Sequence, residues 1–188
     1  TGDPAKAIEM VRALAAAGAV ERLQGWLMQI NAAGQSLGNP ASSVRDQLLP
    51  YRLLLSGANS GIETSELQAW WNSWGGEPAL RARRADMAFA ILEAVGYTLP
   101  QSAWHQLLAD SRRSETSMPT LAVWRGMIDA GANNQMGLGV ASVLVALGPD
   151  APAKSHPALV SNAILALRSL GMEREARLLG LEALAASD

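Results

Sequence analysis

Apolar residues recur along the chain at intervals of three and four, the spacing that gathers side chains on one side of an α-helix. The segment VERLQGWLMQI places Val20, Leu23, Trp26, Leu27 and Ile30 on such a stripe, and LQAWWNSW does the same with Leu67, Trp70, Trp71 and Trp74. Alternation of apolar and polar residues, the mark of a half-buried strand, is not found. The pattern therefore predicts an all-α protein. A different pattern, continuous and without charge, runs from Met136 to Gly148. It is shorter than the ~20 residues that cross a bilayer and predicts a fully buried helix.

Proline and glycine divide these stripes at regular intervals. Pro4, Pro40, Pro78, Pro119 and Pro157 are separated by 36, 38, 41 and 38 residues, and each precedes a helix-forming segment. Proline suits the first helical position, where its missing N–H has no intrahelical partner to lose. Asp3 and Asn39, just before two of them, are N-cap candidates. Each interval has room for a second helix: Gly18 and Gly34 bound one, Thr64 caps and Gly75 stops the next, and Gly96 and Pro100 punctuate the third. Pro50, inside QLLPYRLLL, predicts a kink or break.

The expected architecture is an α-solenoid, or a solenoid-like bundle, of five helical hairpins and about ten helices, forming one domain over residues 1–188. A period of this length is typical of stacked helix pairs, although average helices with short loops return a similar spacing. The chain begins at Thr1, which leaves room for a removed leader or for repeats upstream. The last helix, with Glu173, Arg174, Glu175, Arg177 and Glu182, is expected to shield the end of the stack with its charges.

The segment LRSLGMEREARLLGLEALA, with Ala176 and Ala183 at the small positions of a second helix, resembles the end of a tetratricopeptide-type repeat. Val160, Ala163, Ile164 and Leu167 stand where that family has its first-helix signature, and Gly180 replaces an aromatic. The resemblance covers about one repeat in sequence and the others by length. It implies a scaffold that binds peptides or partner proteins.

Composition narrows the functional classes. The chain has 188 residues, is 49% hydrophobic and 17% charged, and has a net charge of -2, which suits a folded, soluble domain rather than a disordered one. Its 15 basic residues are scattered, without the basic patch that nucleic acid demands. With no cysteine, thiol catalysis, disulfides and thiolate metal sites are excluded; this suits an exported or periplasmic setting without opposing a cytoplasmic one. His105 and His156 fall in no metal-ligand spacing, and no metal or cofactor is expected. Gly137 and Gly139 in MGLGVAS lack the preceding strand of a dinucleotide site and instead suit close helix packing. Glu63 with Glu66, and Asp110 with Glu115, are the carboxylate pairs closest to an acid/base arrangement, and nothing distinguishes them from surface charges.

The densest candidate chemistry is the tryptophan cluster. Trp70 and Trp71 point about 100° apart on a helix, so one indole is expected to reach the surface while the rest pack inside. Arg81 and Arg84, in RARRAD, share a helix face and either flank the helix in solvent or form a clamp for carboxylates. Arg112 to Glu115 reads as a charged loop. Trp26, Trp104 and Trp124 read as core. The candidate partner-binding residues are thus Trp70, Trp71, Trp74, Arg81 and Arg84. The expected function is a non-catalytic binding or scaffold module that recognises a protein or peptide through an aromatic-lined groove. One alternative is a carrier of a hydrophobic small molecule or lipid, which the seven methionines would suit. The other is a hydrolase or lyase whose site the sequence does not display.

Overall fold

Pro4, Pro78 and Pro157 each stand at the first residue of a helix, and Pro40 stands at the second residue of another. The computed structural model describes residues 4–37, 39–57, 61–110, 120–148, 152 and 155–187. Asp3, Pro119 and the segment Arg112 to Glu115 lie outside them. Eleven helices are described: α1 (Pro4–Ala16), α2 (Val20–Leu37), α3 (Asn39–Gln47), α4 (Leu49–Ser56), α5 (Thr64–Ser73), α6 (Pro78–Ala94), α7 (Gln101–Asp110), α8 (Leu121–Ala132), α9 (Met136–Leu147), α10 (Pro157–Ser169) and α11 (Glu173–Ser187). Among the described residues the only β-type pairing is an isolated bridge between Gly61 and Thr98. None of the helices is long and apolar enough to cross a membrane.

The helix count exceeds ten because the chain breaks at Leu48. Pro50 falls in the first turn of α4, where its absent N–H is tolerated, and so α3 and α4 form in place of one long helix. Other punctuation differs from expectation. Gly34 does not stop α2, which runs to Leu37, and Thr64 begins α5 rather than capping it, since Glu63 is the cap residue and makes no side-chain bond.

Several helices adjacent in sequence pack on one another, α1 with α2, α2 with α3, α6 with α7, α8 with α9 and α10 with α11, and α3 also packs on α5 across the short α4. The pairs do not contact one another in simple chain order. Helix α10 packs on α6, α8 and α9, while α11 packs on α1, α4 and α6. The last hairpin is therefore central, not the terminal shield expected from its charges. Small residues explain how α11 fits there. Ala176 and Ala183 are fully buried, and a Cβ on Gly180 would lie 2.9 Å from Ile91 Cγ2 and 3.5 Å from Leu54, so only glycine allows this approach. Glu173, Arg174, Glu175 and Glu182 remain exposed on the other side.

Two arginines tie helix ends to this centre. Arg177 Nη1 donates to Leu54 O at 3.1 Å and Nη2 to Gly57 O at 3.4 Å, satisfying carbonyls at the end of α4, where Gly57 adopts a left-handed φ of 70°. Arg168 Nη1 donates to Ala94 O at 2.7 Å, and its Nε pairs with Glu173 at 3.0 Å. Charged donors on the last carbonyls of a helix also complement its dipole.

Candidate functional site

Helix α5 carries Trp70 and Trp71 and ends one residue before Trp74, whose backbone is already extended (φ -86°, ψ 98°). Trp70 packs against Phe89 of α6, ring centroids 5.8 Å apart and tilted by 44°. Phe89 in turn meets Trp104 of α7 edge-on at 5.4 Å. Arg81 Cζ lies 5.4 Å from the Trp71 ring centroid. Trp74 has two cations over its ring, Arg84 at 4.3 Å and Arg12 at 5.9 Å.

The structure thus brings together Trp70, Trp71, Trp74, Arg81 and Arg84, and adds Arg12 of α1. It also corrects the expectation that one indole stays exposed, because Trp70, Trp71 and Trp74 are only 3%, 5% and 9% accessible. Trp70 and Trp71 are both buried despite their angular separation, since α3 and α4 pack on α5 while Phe89 and Arg81 of α6 cover the indoles. Trp74 escapes the helical stripe and is roofed by guanidinium groups. Cations stacked on an aromatic face gain from the ring quadrupole, and here they close off the groove that the indoles alone would have lined. The guanidinium groups of Arg81 and Arg84, half-buried themselves, form the outer layer of the cluster.

The other tryptophans are less enclosed than expected. Trp26, Trp104 and Trp124 are half-buried, and Trp104 keeps a polar edge, its Nε1 donating to Glu93 Oε1 at 3.0 Å.

The largest departure is α9. The charge-free segment expected to be fully buried has buried positions only at Gly139 and Val143. These pack on the α8–α10 side, where a Cβ on Gly139 would meet Leu170 and Ala130. The opposite face carries Gly137, Leu138, Ala141, Leu144 and Val145, all exposed, with Leu144 65% and Val145 67% accessible. Met136 is exposed at the start of the same helix. No polar atom of a side chain interrupts this row. The sequence did hold a signal for it, since a helix apolar on both faces needs two neighbours, and α8 and α10 cover one side only.

A third feature lies between α3, α4 and α5. A cavity of about 200 Å³ is lined by Arg45, Asp46, Leu49, Arg52, Ser65, Glu66 and Ala69. Arg45 Nε and Arg52 Nε are themselves shielded from solvent and have no hydrogen-bond partner, and the same holds for the Nε atoms of Arg12, Arg81 and Arg84 elsewhere. Burial, followed by repulsion from Arg45, lowers the pKa of Arg52, against the attraction of Glu66 and Asp46. The sequence reading passed over this pair, because the break at Leu48 places the two arginines on different helices.

Of the histidines, His156 opens α10 as its N-cap, Nδ1 accepting from Ala158 N at 3.1 Å, and His105 is exposed. Near His156, burial raises the pKa of Asp86 while the histidine opposes the shift. Among the described residues no three His, Asp or Glu side chains converge as a metal-binding group. No protein-family model, curated protein or solved structure matches the chain.

Proposed function

We propose that the chain is a non-catalytic binding module that recognises a protein or peptide partner through the outer face of α9. The observation that carries this reading is the uninterrupted apolar row Gly137, Leu138, Ala141, Leu144 and Val145, its three large side chains more than half exposed. Covering apolar surface stabilises a complex by about 25 cal/mol per Å², and contiguous exposed apolar faces mark interaction sites. The occupant that fits is an amphipathic helix. Helix α9 spans 12 residues, Gly137 and Ala141 lie one turn apart and admit a close helix axis, and Leu138, Leu144 and Val145 flank them as knobs. Because α9 has no charged residue, the docked stripe has no ionic group to desolvate.

The buried tryptophans enter this reading as framework. Arg81 and Arg84, whose guanidinium carbons sit over Trp71 and Trp74, offer a second contact suited to an acidic part of the partner. The five helix pairs are read as tetratricopeptide-like hairpin units joined in a solenoid-like bundle. Their similar length and proline starts support the unit, and the central place of α10 and α11 favours a bundle over an open stack.

The test uses a fluorescein-labelled amphipathic helical peptide with leucines at three- and four-residue spacing. Wild-type protein is expected to raise its anisotropy saturably, whereas Leu144→Asp and Val145→Asp, with unchanged thermal midpoints, do not. Equal binding by all three proteins, or by none, overturns the proposal. So does concentration-dependent dimerisation of wild type that Leu144→Asp abolishes, because the face would then belong to a second copy.

A further inference from the structure

The apolar face of α9 borders a second helix, and that border carries charge. Helices α8 and α9 run antiparallel: a Cβ on Gly126 would lie 3.1 Å from Ser142 Oγ, and one on Gly139 would lie 3.4 Å from Ala130 Cβ. Both helices pack on α10, with Gly131 of α8 facing Ser169 and Gly139 of α9 facing Leu170. On a helix, the residues four before, one before and three after a contact position all lie to the same side of it. From Gly126 these are Ala122, Arg125 and Asp129, and from Ser142 they are Leu138, Ala141 and Val145. All six are exposed, as the side away from α10 requires. The seam between α8 and α9 therefore has an apolar wall from α9 and a wall bearing one cation and one anion from α8. Among the described residues neither the Arg125 nor the Asp129 side chain enters a hydrogen bond or an ion pair.

We propose, resting on the peptide-docking reading of α9, that Arg125 and Asp129 select the partner: an amphipathic helix whose apolar stripe covers α9 and whose flank toward α8 carries one acidic and one basic residue a turn apart. The acid faces Arg125 and the base faces Asp129. At a rise of about 1.5 Å per residue the two charges of α8 stand roughly 6 Å apart along its axis, the separation of a pair four residues apart on the partner. Both charges lie at the rim of the docked stripe and stay in contact with water. Opposite charges across such a rim add little affinity, whereas like charges set against one another are penalised, so the pair acts on the choice of partner more than on its strength of binding. It also fixes direction. A partner with the acid before the base runs parallel to α8, and one with the base before the acid runs parallel to α9.

The test titrates the full chain into three fluorescein-labelled helical peptides that share one leucine stripe and differ only on one flank. The flank carries a glutamate and a lysine four residues apart, two glutamates, or two lysines. Wild type is expected to bind the mixed peptide at least about threefold more tightly than either like-charged one. Arg125→Glu leaves two carboxylates on α8 and should bind the two-lysine peptide best. Asp129→Lys leaves two cations and should bind the two-glutamate peptide best. In 0.5 M NaCl these preferences should shrink toward equality, since exposed charges are screened. Arg22→Glu changes the net charge as Arg125→Glu does, but at an exposed position on α2, and is expected to keep the wild-type order. Binding of the three peptides with an order that neither α8 variant changes overturns this proposal and leaves the docking reading standing. An equal change of order in Arg22→Glu also overturns it, because net charge alone would then be the cause. No saturable binding of any peptide by wild type overturns both.

Discussion

The guanidinium carbon of Arg84 lies 4.3 Å from the centroid of the Trp74 ring, joining the first turns of α6 to the residue that follows α5. With Arg12 on the same ring at 5.9 Å, three separate helices meet at one indole. Truncation by Trp74→Ala is expected to cost about 3–5 kcal/mol. In a double-mutant cycle of Trp74→Leu and Arg84→Met, urea unfolding should show a coupling of about 1 kcal/mol. Strict additivity would mean that the stacked geometry adds nothing to burial.

Two glycines inside helices should respond to alanine with opposite sign. At Gly180 the new Cβ would lie 2.9 Å from Ile91 Cγ2, and Ile91 is itself fully buried, so Gly180→Ala is expected to destabilise by about 1–3 kcal/mol through overpacking. At Gly25, within α2, nothing lies within 4 Å. Gly25→Ala should stabilise by about 0.5–1 kcal/mol from reduced chain entropy. Thermal midpoints of the two variants moving in the same direction would refute the close packing of α11.

Arg177 bridges α11 to the end of α4 through Leu54 O and Gly57 O. Replacing it by alanine leaves carbonyls of a helix end without their charged donor and is expected to cost about 1–3 kcal/mol. Arg177→Lys should recover only part, because an ammonium cannot reproduce the fork. Hydrogen exchange of α4 amides is the local readout, with faster exchange expected in Arg177→Ala.

Asp86 is half-buried, and its carboxyl pKa is raised above the ordinary carboxylate value, chiefly by desolvation and against the pull of His156. A carboxyl that binds its proton more tightly in the folded state contributes stability that is complete below its unfolded pKa and is lost as pH rises through its folded pKa. The contribution of Asp86 should therefore decline on going upward from about pH 4. Asp86→Asn is expected to remove this decline and to raise stability at neutral pH. An unchanged pH profile of urea midpoints in the variant would show that the environment of Asp86 is not desolvating.

Local structure was readable because it depends on neighbours in the chain. Apolar stripes such as Val20, Leu23, Trp26, Leu27 and Ile30 marked helices, prolines marked their starts, and Pro50 marked the break between α3 and α4. Each of these is settled by backbone geometry within one or two turns. The candidate site was legible in part, since the proximity of Arg81 and Arg84 to the tryptophans followed from two short segments joined by a tight connection. Its covering was not, because Arg12 comes from α1.

What the sequence alone determined is that the chain is helical, where its helices begin and break, and which faces are apolar. Which apolar faces are covered was decided only in three dimensions. Helix α6 contains Arg81, Arg83, Arg84 and Asp86 and yet lies against α4, α7, α10 and α11, while α9, without a charge, keeps Leu138, Leu144 and Val145 in water. The glycine and alanines of α11 drew that helix into the centre, and α9 was left with neighbours on one side. The apolar character of a helix sets how much it gains from being covered; whether a neighbour arrives is set by the packing of all the others.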